Sequence, residues 1–168
     1  TIEQPDAIVL KETHVNVDCF GEATGRINLT VEGGTGPFTF AWSNGLTLRD
    51  LINLKAGTYS VTVTDKNGCK ATKSITITQP DALKVVVATT DIDCFGDKNG
   101  RAVLTVTGGT APYSFKVDGG AFGPSATFTG LTPGEHIFTV RDAKGCEFSC
   151  PRTIEQPDAL VLKGTHAD

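Results

Sequence analysis

A short acidic run, five cysteines and three histidines are where chemistry would be sought first in this 168-residue chain. Asp91, Asp93, Asp97 and Asn99 lead into Gly100, and Asn16, Asp18 and Glu22 lead into Gly25 in the same order. Closely spaced oxygen ligands in a glycine-bearing loop suit Ca2+, which takes about six to eight oxygens. Asp91, Asp93, Asp97 and Asn99 are therefore the metal candidates, and Ca2+ is the one cofactor to test. Asp6, Asp81 and Asp158, each after a Gln-Pro pair, would add ligands at junctions. The spacing is not that of an EF-hand loop, and Asx turns that cap strands account for the same residues; that plainer reading is preferred. Cys19, Cys69, Cys94 and Cys146 are disulfide candidates. No C-x-x-C and no Cys/His zinc spacing occurs. Cys150 stands apart, as a free or intermolecular thiol.

The catalytic motifs are missing. There is no G-x-S-x-G, no Walker loop, no H-E-x-x-H and no G-x-G-x-x-G ahead of a helix. His14 and His166 occupy one repeated position, so they are not a catalytic set, and His136 reads as a corner or core residue. An active site needs one asymmetric, convergent set of groups. Two near-copies of a plain module do not offer one, so the chain is read as no enzyme.

The elements that must hold these residues come in copies. Gln4-Pro5-Asp6-Ala7 returns at Gln79 and again at Gln156, 75 and then 77 residues on (79 − 4 and 156 − 79). Asp18-Cys19-Phe20-Gly21 returns as Asp93-Cys94-Phe95-Gly96, Gly33-Gly34-Thr35 as Gly108-Gly109-Thr110, and Asp65 with Gly68-Cys69 as Asp142 with Gly145-Cys146. Self-similarity at fixed period marks a repeat architecture. The boundaries read as repeat 1 over 1–78, repeat 2 over 79–154 and the start of a third over 155–168. Both ends cut across a repeat, which points to a longer tandem protein.

Within each copy the apolar residues alternate. Ile27, Leu29 and Val31 interleave with polar neighbours, as do Tyr59, Val61 and Val63, and Phe38, Phe40 and Trp42. That is the period of a half-buried strand. Asn44-Gly45 and Asn67-Gly68 punctuate the runs, and Asn-Gly is a strong hairpin signal. With 24 Thr, 14 Val and no Met, composition also favours pleated sheet. The expected fold is all-β: tandem immunoglobulin-like Greek-key β-sandwiches of about seven strands each, arranged end to end. Leu54, Gly57 and Tyr59 look like a tyrosine corner, with Leu131, Gly134 and His136 in its place in the second copy.

This topology bears on the cysteines. Register across repeats suggests a disulfide framework in an oxidising place. The first expectation is Cys19–Cys69 and Cys94–Cys146, each closing a loop of about 50 residues for roughly 4 kcal/mol. In an Ig-type sandwich, however, those positions lie at opposite poles, roughly 20 Å apart, and a bridge needs Cα atoms within about 7 Å. Pairs between neighbours, such as Cys19–Cys146, and free thiols stay open. Phe20 and Phe95 sit in loops beside two of the cysteines and are the binding candidates, although such residues more often plug a sandwich end or a junction.

A net charge of −4 removes nucleic-acid binding through a basic face. No apolar run approaches the roughly 20 residues that cross a bilayer, so no membrane insertion is expected.

The order of motifs resembles the SprB repeat family. The matching stretches are Cys19-Phe20-Gly21, Gly33 to Gly45, Leu54 with Gly57 to Asp65, Asn67-Gly68-Cys69 and Gln79-Pro80, with their second-copy counterparts. The second copy departs at Val117 for Trp42 and at His136 for Tyr59. The resemblance implies a segment of a very large cell-surface adhesin of gliding bacteria, exported by the type IX secretion route. It implies no catalytic residues. The expected role is a non-catalytic rod whose partners are neighbouring repeats of the same chain, at the cell surface or outside the cell. An extracellular surface or polysaccharide is a possible ligand. The rival role is a glycan- or protein-binding module of a secreted protein.

Overall fold

The computed structural model describes residues 6–163, and all of its regular structure is strand. The chain divides into two units at Asp81/Ala82. The cut falls inside the Gln79-Pro80-Asp81-Ala82 motif, three residues past the expected boundary at 78/79 (81 − 78).

Unit 1 holds β1 (Val9–Val15), β2 (Gly25–Glu32), β3 (Thr39–Trp42), β4 (Leu51–Leu54), β5 (Gly57–Thr64) and β6 (Lys70–Ile77). Two three-stranded antiparallel sheets form, in the orders β1-β2-β4 and β3-β5-β6. Unit 2 repeats the plan. Its strands are β7 (Lys84–Thr90), β8 (Gly100–Thr107), β9 (Ser114–Val117), β10 (Thr127–Leu131), β11 (Gly134–Arg141) and β12 (Glu147–Ile154), in sheets β10-β8-β7 and β12-β11-β9. This is the immunoglobulin partition of strands A, B and E against C, F and G.

Among the described residues each unit forms six strands, against about seven expected. The strand that would follow β3 in an Ig domain is replaced by an irregular connection, 43–50 in unit 1 and 118–126 in unit 2. In unit 1 that connection is tied down by single bonds rather than a ladder. Trp42 Nε1 donates to the Leu48 carbonyl at 2.7 Å, and the Leu29 amide donates to Asp50 Oδ1 at 2.9 Å. Of the two-residue length difference between the repeats, one residue falls in this connection and the other in β10, which is one residue longer than β4.

Each unit buries its own apolar faces. Ile27, Leu29, Trp42, Leu51, Val61, Val63 and Ile77 are buried in unit 1, and Leu104, Phe115, Phe138, Val140 and Ile154 in unit 2. The alternation read from the sequence is the burial pattern observed; β2 reads buried at Gly25, Ile27 and Leu29 and exposed between them. The two cores exchange volume between positions. Ile27 becomes Ala102 and Trp42 becomes Val117, while Val61 becomes Phe138, whose ring stacks obliquely on Phe128 at 5.7 Å. Cores tolerate such trades when total volume and patterning are kept.

Candidate functional site

Each sandwich has two poles. At the first, the arriving chain meets the β2–β3 turn and the hairpin between the last two strands. Gly33 and Gly34 have φ of 68° and 64°, a left-handed pair that suits only glycine without strain. The Gly34 amide donates to the Asp6 carbonyl at 2.8 Å. The carboxylate of buried Asp65 fastens this pole. Its Oδ1 accepts from the Asn67 and Cys69 amides at 2.9 and 2.8 Å, and its Oδ2 accepts from Thr35 at 3.1 Å. Burial pushes the Asp65 carboxyl upward, but the amides of Thr35, Cys69 and Asn67 outweigh it and hold the group below its ordinary value. In unit 2 the carboxylate of Asp142 makes the equivalent hydrogen bonds, accepting from Lys144, Cys146 and Thr110, each at 2.9 Å. These two aspartates were visible in the sequence only as a repeated letter before Gly-Cys.

At the second pole the chain departs. In unit 1 the Val17 amide donates to the Thr78 carbonyl, the Thr78 amide to Asn16 Oδ1, and the Gly21 amide to Gln79 Oε1, each at 2.9 Å. Unit 2 repeats this with Ile92 to the Glu155 carbonyl, Glu155 to Asp91 Oδ1, and Gly96 to Gln156 Oε1 at 3.1 Å. The glutamine of each Gln-Pro motif thus clamps the loop that carries Cys19 or Cys94.

The calcium candidates fall at this pole and are not gathered around a point. Asp91 caps the Glu155 amide, and Asn99 Nδ2 donates to Asp93 Oδ2 at 3.1 Å. The amide of Asp97 closes a turn onto the Cys94 carbonyl at 3.1 Å. Among the described residues no three metal-ligating side chains of the His, Cys, Asp or Glu type come together. The bonds formed are those of Asx-type caps and turns.

The cysteines correct the first pairing expected of them. Cys69 and Cys94 are exposed free thiols, as is half-buried Cys150, whereas Cys19 and Cys146 are disulfide-bonded. Neither within-repeat pair, Cys19–Cys69 or Cys94–Cys146, is closed. The fold gives the reason. The eight-residue β6 separates the Cys69 hairpin from the Cys19 pole, roughly 25 Å of extended chain.

Phe20 and Phe95 lie in loops, as expected, and are 57% and 58% exposed. Phe95 borders a cavity of about 460 Å³ with Asp93, Cys94, Pro157, Asp158 and Leu160. Unit 1 carries another of about 500 Å³, lined by Leu29, Val31, Phe38, Phe40, Arg49 and Asp50. Its polar groups already serve each other. Arg49 donates to Asp50 Oδ2 at 2.8 Å, which lowers the Asp50 carboxyl, while Asp50 Oδ1 accepts from Leu29.

The corner residues are structural. The Tyr59 hydroxyl donates to the Lys55 carbonyl at 2.9 Å, as a tyrosine corner requires. In unit 2 His136 stands in, with Nε2 at 2.8 Å from the Thr132 carbonyl and Nδ1 at 2.9 Å from Asp118 Oδ2. Both neighbours only accept, so both ring nitrogens donate and the imidazolium is the form that fits. The bond to Asp118 raises the His136 pKa, with the Thr132 carbonyl adding and burial opposing. Asp118, which also accepts from Ile137, is lowered. Nothing in the sequence singled out Asp118.

Comparison with known proteins gives two results. The family model described as SprB repeat matches twice, over residues 12–47 and 86–122. The chain is also similar to a crystal structure of domains 4 and 5 of the S-layer protein SbsC, at 16% identity and a TM-score of 0.39, covering 89% of this chain and 99% of that one. A structure of SbsC domains 1–6 is matched at 16% identity and a TM-score of 0.40, over 92% of this chain and 29% of that one. No curated protein matches.

Proposed function

Starting from a chain that carries two SprB repeats, we propose that it is a non-catalytic segment of a large bacterial cell-surface adhesin, exported by the type IX route and used in gliding and attachment. Its contribution is reach and force transmission. One observation carries this reading: a self-contained sandwich occurs twice, each copy with its own core, joined through a Gln-Pro motif that favours extended backbone. The repeated polar groups support it too. Asp65 and Asp142, and Gln79 and Gln156, spend their acceptors on backbone amides and fasten the poles.

Small-angle scattering of the fragment tests the rod. An elongated particle with two lobes is expected, and a compact globule would overturn it. The second reading, a glycan- or protein-binding module, is favoured by the exposed Phe20 and Phe95 and by the cavity beside Phe38 and Phe40. A glycan array on the same fragment decides it, with binding lost in Phe20→Ala or Phe95→Ala.

A further inference from the structure

We propose that Cys94 and Cys69 are the two open halves of inter-repeat disulfides, Cys94 taking the hairpin cysteine of a further repeat and Cys69 the loop cysteine of another. The inference rests on the reading of the chain as part of an array, and it adds covalent lacing to that array.

The geometry within each unit carries the argument. The hairpin cysteine, Cys69 or Cys146, lies at the pole where the chain arrives. Its amide is held by Asp65 or Asp142, whose other oxygen holds the Thr35 or Thr110 amide next to the glycine pair. A side chain at Gly109 would meet Asp142 and Leu83, so the arriving segment packs at that hairpin. The loop cysteine, Cys19 or Cys94, lies at the pole where the chain departs, two residues before the glycine clamped by Gln79 or Gln156 (Gly21 and Gly96 each follow Phe). In chain order the polypeptide leaves one repeat at its departing pole and enters the next at its arriving pole, with the Gln-Pro motif between. The loop cysteine of one repeat and the hairpin cysteine of the next thus belong to the two poles that this linker joins in the chain. A second observation points the same way. The register counterparts of the free pair, Cys19 for Cys94 and Cys146 for Cys69, are both disulfide-bonded. Each kind of position is thus one that takes a sulfur partner, and the within-unit partner is a full strand away.

The chemistry balances with a low-molecular-weight disulfide as oxidant. One thiolate attacks oxidised glutathione and releases one glutathione thiol. The second thiolate attacks the mixed disulfide, forms the protein bond and releases the other, so two thiols are oxidised as one disulfide is reduced.

A second copy of the chain stands in for the further repeat in the test. On a Cys150→Ser background, Cys94→Ser leaves only the hairpin thiol free and Cys69→Ser leaves only the loop thiol. The two proteins are mixed in equal amounts, treated with oxidised glutathione and mapped by non-reducing peptide mass spectrometry. Chance pairing gives the Cys69–Cys94 link at twice the yield of either like-with-like link. The expected result is that it exceeds each by at least tenfold, and that the Cys150→Ser chain alone forms a ladder of oligomers. The chance ratio, or no protein disulfide, overturns the proposal. An elongated scattering profile together with chance pairing would keep the rod and remove the lacing.

Discussion

His136 replaces Tyr59 at the corner, and the exchange makes one unit sensitive to alkali. The tyrosine serves its carbonyl with a single neutral hydroxyl. His136 needs both ring protons to serve the Thr132 carbonyl and Asp118. Its folded pKa is raised above the ordinary value of about 6.5. The stability it contributes is therefore fully present below about pH 6.5 and is lost as pH rises through the higher folded value. Asp118 is 53% exposed, so solvent screening keeps the effect small. Thermal melts should show unit 2 weakening above neutrality, and His136→Tyr should flatten that slope; an unshifted His136 imidazole titration by NMR would refute it. Asp65 has the opposite sign. Its carboxyl is held low, so its contribution is present above about pH 3.9 and is lost as pH falls through the folded value. Asp65→Asn should reduce the acid sensitivity of unit 1 in the same melts. The equivalent Asp142→Asn puts an amide donor against the Thr110 amide or the Lys144 and Cys146 amides. Denaturant titration should show a loss of about 1–3 kcal/mol, the cost of a buried donor left unpaired.

At the level of strands, the sequence was most informative where one face is buried and the other is wet. β2 and β8 follow the alternation, β5 follows it from Val61 to Thr64, and β11 breaks it at Thr139, which is buried between Phe138 and Val140. The stretch after β3 was not legible. Its backbone is held by scattered bonds from Trp42 and Leu29, and no period announces those. The candidate sites divide in the same way. The exposure of Phe20 and Phe95 followed from their loop positions, and the poles that keep Cys19 from Cys69 followed from Ig topology. The Asp118–His136 pair did not, because cross-strand partners in a connection of irregular geometry leave no spacing to read. Gly100 shows what strand crossing demands. A Cβ there would lie 2.8 Å from Ile154 Cγ2 and 2.9 Å from the Leu131 carbonyl, whereas one at Gly119 meets nothing within 4 Å. Gly100→Ala should cost about 1–3 kcal/mol through overpacking, and Gly119→Ala should leave the denaturation midpoint in place.

Across the whole chain, the consequence of repetition is two cores with no residue in common. Val17 to Ile77 form one and Val85 to Ile154 the other. Domains of this size bury only about 60% of their unfolded surface, so each core has little stability to spare. Phe138 is fully buried, packs on Phe128 and occupies the place of a valine in the first unit. Phe138→Ala removes most of a ring from that small core, a loss of about 3–5 kcal/mol. Hydrogen exchange should then show β8, β11 and β12 losing protection while β2, β5 and β6 keep theirs. A uniform loss across both units would mean that one cooperative structure spans the chain, and the modular account of its mechanics would have to be abandoned.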